Sequence, residues 1–251
     1  MISDAQLVEI FTSIQGEGLY VGERQIFLRF AGCNLSCQYC DTPQALVTQK
    51  QFKVESTPGK KDFKNFDNPA TFKQLLDIID QMAKQKVLIH SVSLTGGEPL
   101  LQVDFLKNFI PEVKKRKLQI YLETNGVLPR HLEEVIEYVD IVCMDIKLPS
   151  ATGLSSYMDE HEKALKIAYL KEVFIKIVFT RDSKAKEIDE AAGLIASIDD
   201  KIPLILQPVT PFGPIKHRPK VDQILAFHAV AKRRLKNVKV IPQMHRIMGI
   251  A

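Results

Sequence analysis

The sequence predicts an α/β fold, a partial (β/α) barrel of about six parallel strands. From residue 87 onward, short runs rich in β-branched residues alternate with longer segments whose apolar residues recur at helical spacing. This alternation implies parallel strands joined by right-handed crossovers. An open doubly wound sheet shares the pattern. Polar groups follow many of the strands, however, and this favours a barrel, whose site is assembled from many strand ends.

Seven segments from residue 25 onward have the composition of strands. They are residues 25–31, 87–94, 119–123, 141–146, 172–179, 202–207 and 238–243. Polar motifs follow five of them, and in chain order these are the cysteine cluster, TGGEP, ETNG, DIK and QPVT. An earlier strand candidate, FTSIQGEG at 11–18, runs into a glycine-rich turn.

The first clear helix is predicted to begin at Asn68, a favourable N-cap residue, with Pro69 at the first helical position. The apolar residues that follow at helical spacing are Phe72, Leu75, Leu76 and Ile79. Residues 44–70 have no sustained period, so we expect a long loop inserted after the cysteine cluster, with room for a short hairpin.

A single domain over residues 1–251 is the economical prediction for a chain of this length. Within it, residues 200–251 are expected to form a strand–helix–strand unit that closes the site. The chain has no uninterrupted apolar run of about 18 residues, and its N-terminus lacks the features of a signal peptide. These observations predict a cytoplasmic protein, whose thiols stay reduced.

The formal net charge of +4 is mild and excludes little by itself. Two basic runs, at 114–117 and 232–236, end helical patterns and lack interleaved aromatic residues. Because a nucleic-acid interface needs a broader basic face, we interpret both runs as solvated helix ends. The sequence therefore predicts no nucleic-acid or membrane partner, and a small anionic substrate suits its charge.

Three of the four cysteines lie within eight positions, at Cys33, Cys37 and Cys40. A zinc ribbon needs a second ligand pair, and a ferredoxin cluster needs a fourth cysteine. The remaining Cys143 lies in an apolar run and is expected to pack in the core. Three thiolates on a four-iron cluster leave one iron open to a non-protein ligand, and this is our interpretation of the cysteine spacing.

The C-x3-C-x2-C spacing, with Tyr39 before its last cysteine, resembles the signature of the radical S-adenosylmethionine (SAM) superfamily. Gly96, Gly97 and Glu98 resemble that superfamily's Gly-Gly-Glu stretch. The resemblance implies a [4Fe-4S] cluster whose open iron is chelated by SAM. It also implies a 5′-deoxyadenosyl radical that abstracts a substrate hydrogen. Glycines admit close backbone approach, and a carboxylate can accept from the SAM ammonium group.

The motifs QGEG, FLRFAGCNLSC and YCDT together resemble the 7-carboxy-7-deazaguanine synthase family of queuosine and 7-deazapurine biosynthesis. The resemblance implies a carbon–nitrogen lyase that contracts the ring of 6-carboxy-5,6,7,8-tetrahydropterin and releases ammonia. It assigns Arg29 to the substrate carboxylate, a task suited to a bidentate guanidinium. The other residues that it assigns to the substrate are Ile14, Gln15, Gly16, Thr95, Gln243 and His245.

The same resemblance assigns Thr42 as a ligand of Mg²⁺, which prefers oxygen ligands. The residues that it assigns to SAM are Tyr39, Gly97, Glu98, Glu123, Asp145, Lys147 and Gln207. The partners that it implies are the pterin, a flavodoxin or ferredoxin as electron donor, and a second copy of the chain in a homodimer.

One segment departs from the synthase pattern, because Asp145-Ile146-Lys147 stands where the family carries Ser-Pro-Lys. DIK is closer to glycyl-radical activating enzymes, whose substrate is a protein, and this activity is the alternative hypothesis. A noncatalytic iron–sulfur or zinc module would need neither Gly-Gly-Glu nor polar groups at so many strand ends. QGEG and CDT favour the synthase.

Overall fold

The computed structural model describes residues 4–250, so the predicted domain is described except for residues 1–3 and 251. Within this range, ten strands form one sheet with the order β10-β9-β8-β7-β6-β5-β2-β1-β3-β4. The strands are β1 (Leu7–Ile14), β2 (Arg24–Phe30), β3 (Gln51–Glu55), β4 (Phe63–Asp67), β5 (Ser91–Gly96), β6 (Gln119–Thr124), β7 (Ile141–Asp145), β8 (Glu172–Phe179), β9 (Leu204–Pro208) and β10 (Val238–Val240).

Strands β2 and β5 to β10 are parallel to one another and form the partial barrel that the sequence predicts. β1 lies antiparallel to β2, on the outer side of that set. Because parallel strands run in one direction, their carboxyl ends, and the motifs that follow them, lie at one end of the sheet.

Eight α-helices lie within the described residues, and all but the last of them, which follows β10, connect strands. They are α1 (Phe72–Met82), α2 (Val103–Lys115), α3 (Pro129–Val135), α4 (Pro149–Thr152), α5 (Met158–Ala168), α6 (Ala185–Ile198), α7 (Val221–Lys232) and α8 (Met244–Met248). In the C-terminal part, β9, α7 and β10 follow one another in the order expected for residues 200–251. No helix among residues 4–250 combines the length and the apolar character that crossing a membrane requires.

The inserted segment 44–70 contains a hairpin, in which β3 and β4 pair antiparallel and β3 lies beside β1. Phe52 and Val54 are buried, and the Phe52 ring stacks on that of Phe66 at 5.6 Å between centroids. The alternation of apolar and polar residues in this segment is too short to predict a strand pair by itself. The pair forms because β1, which would otherwise be an edge strand, supplies hydrogen-bond partners for β3.

The prediction that the first helix begins at Asn68 is wrong, because α1 begins at Phe72. The Thr71 hydroxyl caps it by accepting the backbone N–H of Gln74 at 3.3 Å. The Asn68 amide instead donates to the carbonyl oxygen of Leu7 at 2.8 Å. It therefore anchors the end of the insertion to β1. The predicted apolar stripe lies on α1, where Leu75, Leu76 and Ile79 are buried.

The predicted strand at 87–94 begins too early. Residues Lys86–Leu88 form a 3-10 turn, and Val87 is 93% exposed. β5 begins at Ser91, opposite Gln25 of β2. Pairing with β2, rather than the β-branched composition of residues 87–89, therefore determines where this strand begins.

The large core lies between the sheet and its helices, while a second buried cluster fills the inside of the partial barrel. Tyr121, Ile141, Cys143, Phe174 and Ile205 form this inner cluster. Cys143 is buried, as the sequence predicts for a core residue. The cluster fills the space that side chains occupy in the interior of a barrel, so the barrel is not an open pore.

Candidate active site

A cavity of about 410 Å³ lies among the strand ends, and all but one of the predicted site residues line it. They are Ile14, Gln15, Gly16, Arg29, Cys33, Cys37, Tyr39, Cys40, Thr42, Thr95, Gly97, Glu123, Asp145, Lys147, Gln207, Gln243 and His245. Glu98 is the exception. The structure thus brings residues from seven parts of the sequence into one site, while their individual roles remain predictions.

The three clustered cysteines, Cys33, Cys37 and Cys40, are free thiols, and all are half-buried in the cavity wall. Burial raises the pKa of each thiol above its ordinary value. Iron binds the thiolate form of a cysteine, so binding of iron has to release the thiol protons. Three soft thiolate donors at one wall of a cavity fit an iron–sulfur cluster.

The glycines of the TGGE loop are required by protein backbone that packs against them. Gly96 has a φ of +127°, and a Cβ there would lie 2.3 Å from the carbonyl oxygen of Phe30. A Cβ on Gly97 would lie 2.0 Å from the carbonyl oxygen of Gly32. The close backbone approach that these glycines predict is therefore between the TGGE loop and the cysteine loop. This contact holds the two loops together.

The Glu98 side chain is fully buried behind the cavity wall, which is why it does not line the site. Its carboxylate accepts hydrogen bonds from Leu100 N–H at 3.1 Å, Thr124 O–H at 3.0 Å and Asn125 N–H at 2.7 Å. Burial nevertheless raises the pKa of Glu98 to about 7. In this structure the carboxylate ties the loop after β5 to the end of β6.

At the end of β7, the Asp145 carboxylate accepts from Lys147 Nζ at 2.9 Å, and that ammonium group lies 5.5 Å from the centroid of the Tyr39 ring. Burial opposes a charged lysine, but Asp145 and Tyr39 raise the pKa of Lys147 well above its ordinary value.

The N–H of Ile146 donates to the carbonyl oxygen of Lys176 at 3.0 Å. A proline has no N–H to donate, so DIK extends the pairing of β7 with β8 where Ser-Pro-Lys cannot.

Glu123 organises the predicted substrate half of the site. One carboxylate oxygen accepts from the Gln15 amide at 3.0 Å, and the other accepts from the Thr95 hydroxyl at 2.8 Å. The Gln15 amide also donates to Gln25 at 3.1 Å. The resemblance assigns Glu123 to SAM, but it assigns Gln15 and Thr95, the two partners of Glu123, to the substrate. We therefore interpret Glu123 as a substrate-side residue.

Glu17 and Lys176 are among the charged residues of the cavity wall that sequence reasoning missed. Lys176 Nζ lies 2.5 Å from Glu17 Oε2. Burial works against ionisation of Glu17, but Lys176, with smaller contributions from Gln243 and His245, lowers the pKa of Glu17 to about 2. A lone lysine in the buried run EVFIKIVF was the available signal, because an unpaired charge is costly inside a protein.

Arg29 and Thr42 both have protein partners at the cavity wall. Arg29 Nε donates to Glu9 Oε1 at 2.9 Å, and its guanidinium carbon lies 5.7 Å from the centroid of the Phe11 ring. These contacts orient the guanidinium group. The Thr42 hydroxyl donates to Asp41 Oδ1 at 3.1 Å, so two oxygen-bearing side chains lie together where the resemblance expects Mg²⁺.

The C-terminal segment is tied to the QGEG turn and to Asp41. Met244 N–H donates to the carbonyl oxygen of Gly16 at 2.8 Å. The Gln243 amide donates to Glu17 Oε1 and to Asp41 Oδ2, each at 2.8 Å. Gln243 and His245 are therefore held at the cavity by specific contacts, as expected for site residues rather than for a frayed tail.

Comparison with known proteins gives consistent matches in sequence. The model of the radical SAM superfamily matches residues 28–180. A 7-carboxy-7-deazaguanine synthase from Geobacter sulfurreducens is 44% identical over 246 residues, covering 98% of this chain and 97% of the relative. A protein of the same name from Methanothermobacter thermautotrophicus is 34% identical, covering 98% of this chain and 98% of the relative.

Solved structures share the fold at lower sequence identity. The crystal structure of QueE from Escherichia coli matches with a TM-score of 0.56 and 19% identity, covering 94% of this chain and 93% of that one. Streptococcus suis SuiB bound to S-adenosylmethionine matches with a TM-score of 0.55 and 18% identity, covering 86% of this chain and 51% of that one. At these identities the likeness concerns the fold alone.

Proposed function

This chain belongs to the 7-carboxy-7-deazaguanine synthase family of the radical SAM superfamily, and from this premise we infer that it converts 6-carboxy-5,6,7,8-tetrahydropterin to 7-carboxy-7-deazaguanine with loss of ammonia. The observation that carries the inference is one cavity lined both by the cysteine triplet and by the residues expected to bind the pterin. The activase alternative rests on DIK alone, and DIK has a structural explanation in the pairing of Ile146 with Lys176.

The donor groups fit the cofactors of the superfamily. Cys33, Cys37 and Cys40 would hold the [4Fe-4S] cluster. Two buried acceptor atoms of cavity residues, Asp145 Oδ1 and Gln207 Oε1, have no hydrogen-bond partner among the described residues. Such atoms favour a ligand that donates hydrogen bonds, as the hydroxyl and amine groups of SAM do. When bound, the cluster and SAM supply hydrogen-atom abstraction from carbon.

On the SAM side, we assign Asp145, Lys147 and Gln207 to polar contacts, with Gly97 at the wall beside the cysteine loop. Lys147 is 11% exposed and is held between Asp145 and the Tyr39 ring, so its position is set before the ligand arrives. Glu98 supports this half indirectly, because its carboxylate anchors the Gly97 loop.

On the substrate side, Arg29 would pair with the pterin carboxylate, and Glu9 holds it in position for this task. Gln15 and Thr95 are oriented by their hydrogen bonds to Glu123. The remaining contacts would come from Ile14, Gly16, Gln243 and His245, which line the same cavity. Arrangement by several existing hydrogen bonds lowers the cost of ordering these groups when the substrate binds.

A magnesium ion is proposed next to Thr42, because hydroxyl and carboxylate oxygens are ligands that Mg²⁺ accepts. The Thr42 hydroxyl already lies beside Asp41. The wider assembly follows the family resemblance: a flavodoxin or ferredoxin as one-electron donor, a homodimer, and a location in the cytoplasm.

The test is anaerobic reconstitution of the protein with iron and sulfide, followed by incubation with reductant, SAM, Mg²⁺ and the carboxytetrahydropterin. Mass spectrometry should detect 7-carboxy-7-deazaguanine. An intact cluster that cleaves SAM without forming this product would refute the synthase activity. Cys37→Ala should abolish cluster assembly, whereas Cys143→Ala, which alters the core cysteine, should keep the iron content of the unaltered protein.

A further inference from the structure

Lys176 is a buried charge whose position no sequence motif explains. It lies in the middle of β8, where its neighbours are apolar and buried, and its side chain is 7% exposed. Its ammonium group nevertheless reaches the wall of the cavity. A buried lysine is unfavourable unless carboxylates and hydrogen bonds compensate its lost hydration, so its partners indicate its role.

Two carboxylates lie near the Lys176 ammonium group, at unequal distances. Glu17 Oε2 is 2.5 Å away, and Asp145 Oδ2 is 3.7 Å away. Asp145 has a closer lysine in Lys147, at 2.9 Å. The Glu17 carboxylate therefore depends on Lys176 for its only lysine partner among residues 4–250, whereas Asp145 does not depend on it.

Glu17 itself is well placed for substrate binding. It follows Gln15 and Gly16 in the chain, and its N–H donates to the Gln15 side-chain oxygen at 3.0 Å. Its second carboxylate oxygen accepts from Gln243 at 2.8 Å and lies 3.9 Å from His245 Nδ1. Glu17 is thus surrounded by the residues assigned to the pterin, and its side chain is 18% exposed at the cavity.

We propose that Glu17 binds the N–H edge of the pterin and that Lys176 is the positioning residue that holds the Glu17 carboxylate there. An ionised carboxylate only accepts hydrogen bonds, and the amino and ring N–H groups of a pterin donate them, so the two groups are complementary. The Lys176 ammonium group binds one oxygen of the Glu17 carboxylate. Its positive charge also offsets the repulsion between the Glu17 and Asp145 carboxylates. This assignment rests on the proposed function, and it adds two residues to the substrate half.

The unequal distances make the proposal specific. Loss of the Lys176 charge should release Glu17 and weaken pterin binding, while Asp145 keeps its bond to Lys147 and SAM binding is retained. A lysine that merely supports the fold would instead lower stability without separating the two ligands. The discriminating measurement is therefore the Michaelis constant for the pterin compared with that for SAM.

The experiment compares reconstituted wild type with Lys176→Met, Lys176→Arg and a control, Lys166→Met. Lys166 also pairs with a carboxylate, Glu162 at 2.6 Å, but on the exposed face of α5. For Lys176→Met, we expect the KM for the pterin to rise about tenfold or more, the range of one charged hydrogen bond. The KM for SAM should change less than about twofold on the same scale. Lys176→Arg should restore most of the loss, and Lys166→Met should change neither constant.

An unchanged pterin KM in folded Lys176→Met, or an equal rise for SAM, would overturn the proposal. If this variant does not fold, Glu17→Gln replaces it, because Gln turns an acceptor into a partial donor and should weaken pterin binding selectively. If wild type forms no product, the proposed function fails. Calorimetric titration of the pterin into wild type and Lys176→Met then judges the Lys176 proposal separately: equal affinities, or no binding to wild type, would refute it.

Discussion

The imidazole Nε2 of His161 accepts the backbone N–H of Lys147 at 3.0 Å, although the two residues lie on different elements. His161 is on α5 and is fully buried, whereas Lys147 follows β7 at the cavity. Burial lowers the pKa of His161 to about 4, so the ring is neutral at pH 7 and its Nε2 can accept. A helix on the outside of the sheet thus holds the lysine assigned to SAM.

We therefore expect His161→Phe to weaken SAM binding more than pterin binding. The Phe ring fills most of the space but leaves the Lys147 N–H buried without its acceptor, which costs about 1–3 kcal/mol. Calorimetric titration of each ligand into the reconstituted variant measures the difference. His161→Gln, which retains an acceptor, is the matched control. Equal affinity for SAM in wild type and His161→Phe would contradict the expectation.

Gly97→Ala should destabilise the protein by at least about 2 kcal/mol, because its Cβ would collide with the backbone oxygens of Gly32 and Ala45. The matched control is Gly193→Ala in α6, where the nearest atoms are 3.7 Å away in the Arg234 side chain. This second change should stabilise the helix by about 0.5–1 kcal/mol. Urea unfolding of the cluster-free variants measures both free energies. Similar values for the two would show that the loop adjusts to the added methyl group.

Glu17→Gln should reduce the loss of stability in acid. The folded-state pKa of Glu17, about 2, lies below its ordinary value of 4.5, so ionised Glu17 favours the folded state. This contribution, on the order of 3 kcal/mol, is fully present above pH 4.5 and is lost as the pH falls towards 2. Unfolding free energies measured between pH 2 and 6 should therefore have a shallower slope in the variant. Parallel slopes would show that Glu17 does not titrate in this window.

Thr42→Ala should raise the Mg²⁺ concentration needed for activity about tenfold, while the absorption spectrum of the cluster stays unchanged. The change removes the hydroxyl group, together with the γ-methyl group, and leaves the cysteine ligands untouched. Thr42→Ser keeps that oxygen and should behave like the unaltered protein. If Thr42→Ala loses iron instead, the residue supports the cysteine loop, and its assignment to Mg²⁺ is wrong.

Much of the fold could be predicted because its signals are local. The strands after residue 100 alternate with amphipathic helices, and each such segment carries its own apolar pattern. The errors occurred where a distant partner decided the outcome. Asn68 bonds to Leu7 instead of capping α1, and β5 starts where β2 provides a partner.

The sequence by itself determined the cysteine triplet, the motifs at the strand ends and the family, because each of these depends on residues close together in the chain. Only the tertiary structure decided that Glu98 faces the protein interior, that His161 holds Lys147, and that Lys176 meets Glu17. Glu17 and Lys176 are 159 positions apart. Such a pairing leaves no local pattern, because it forms only when the fold brings the turn after β1 next to an inward-facing side chain of β8.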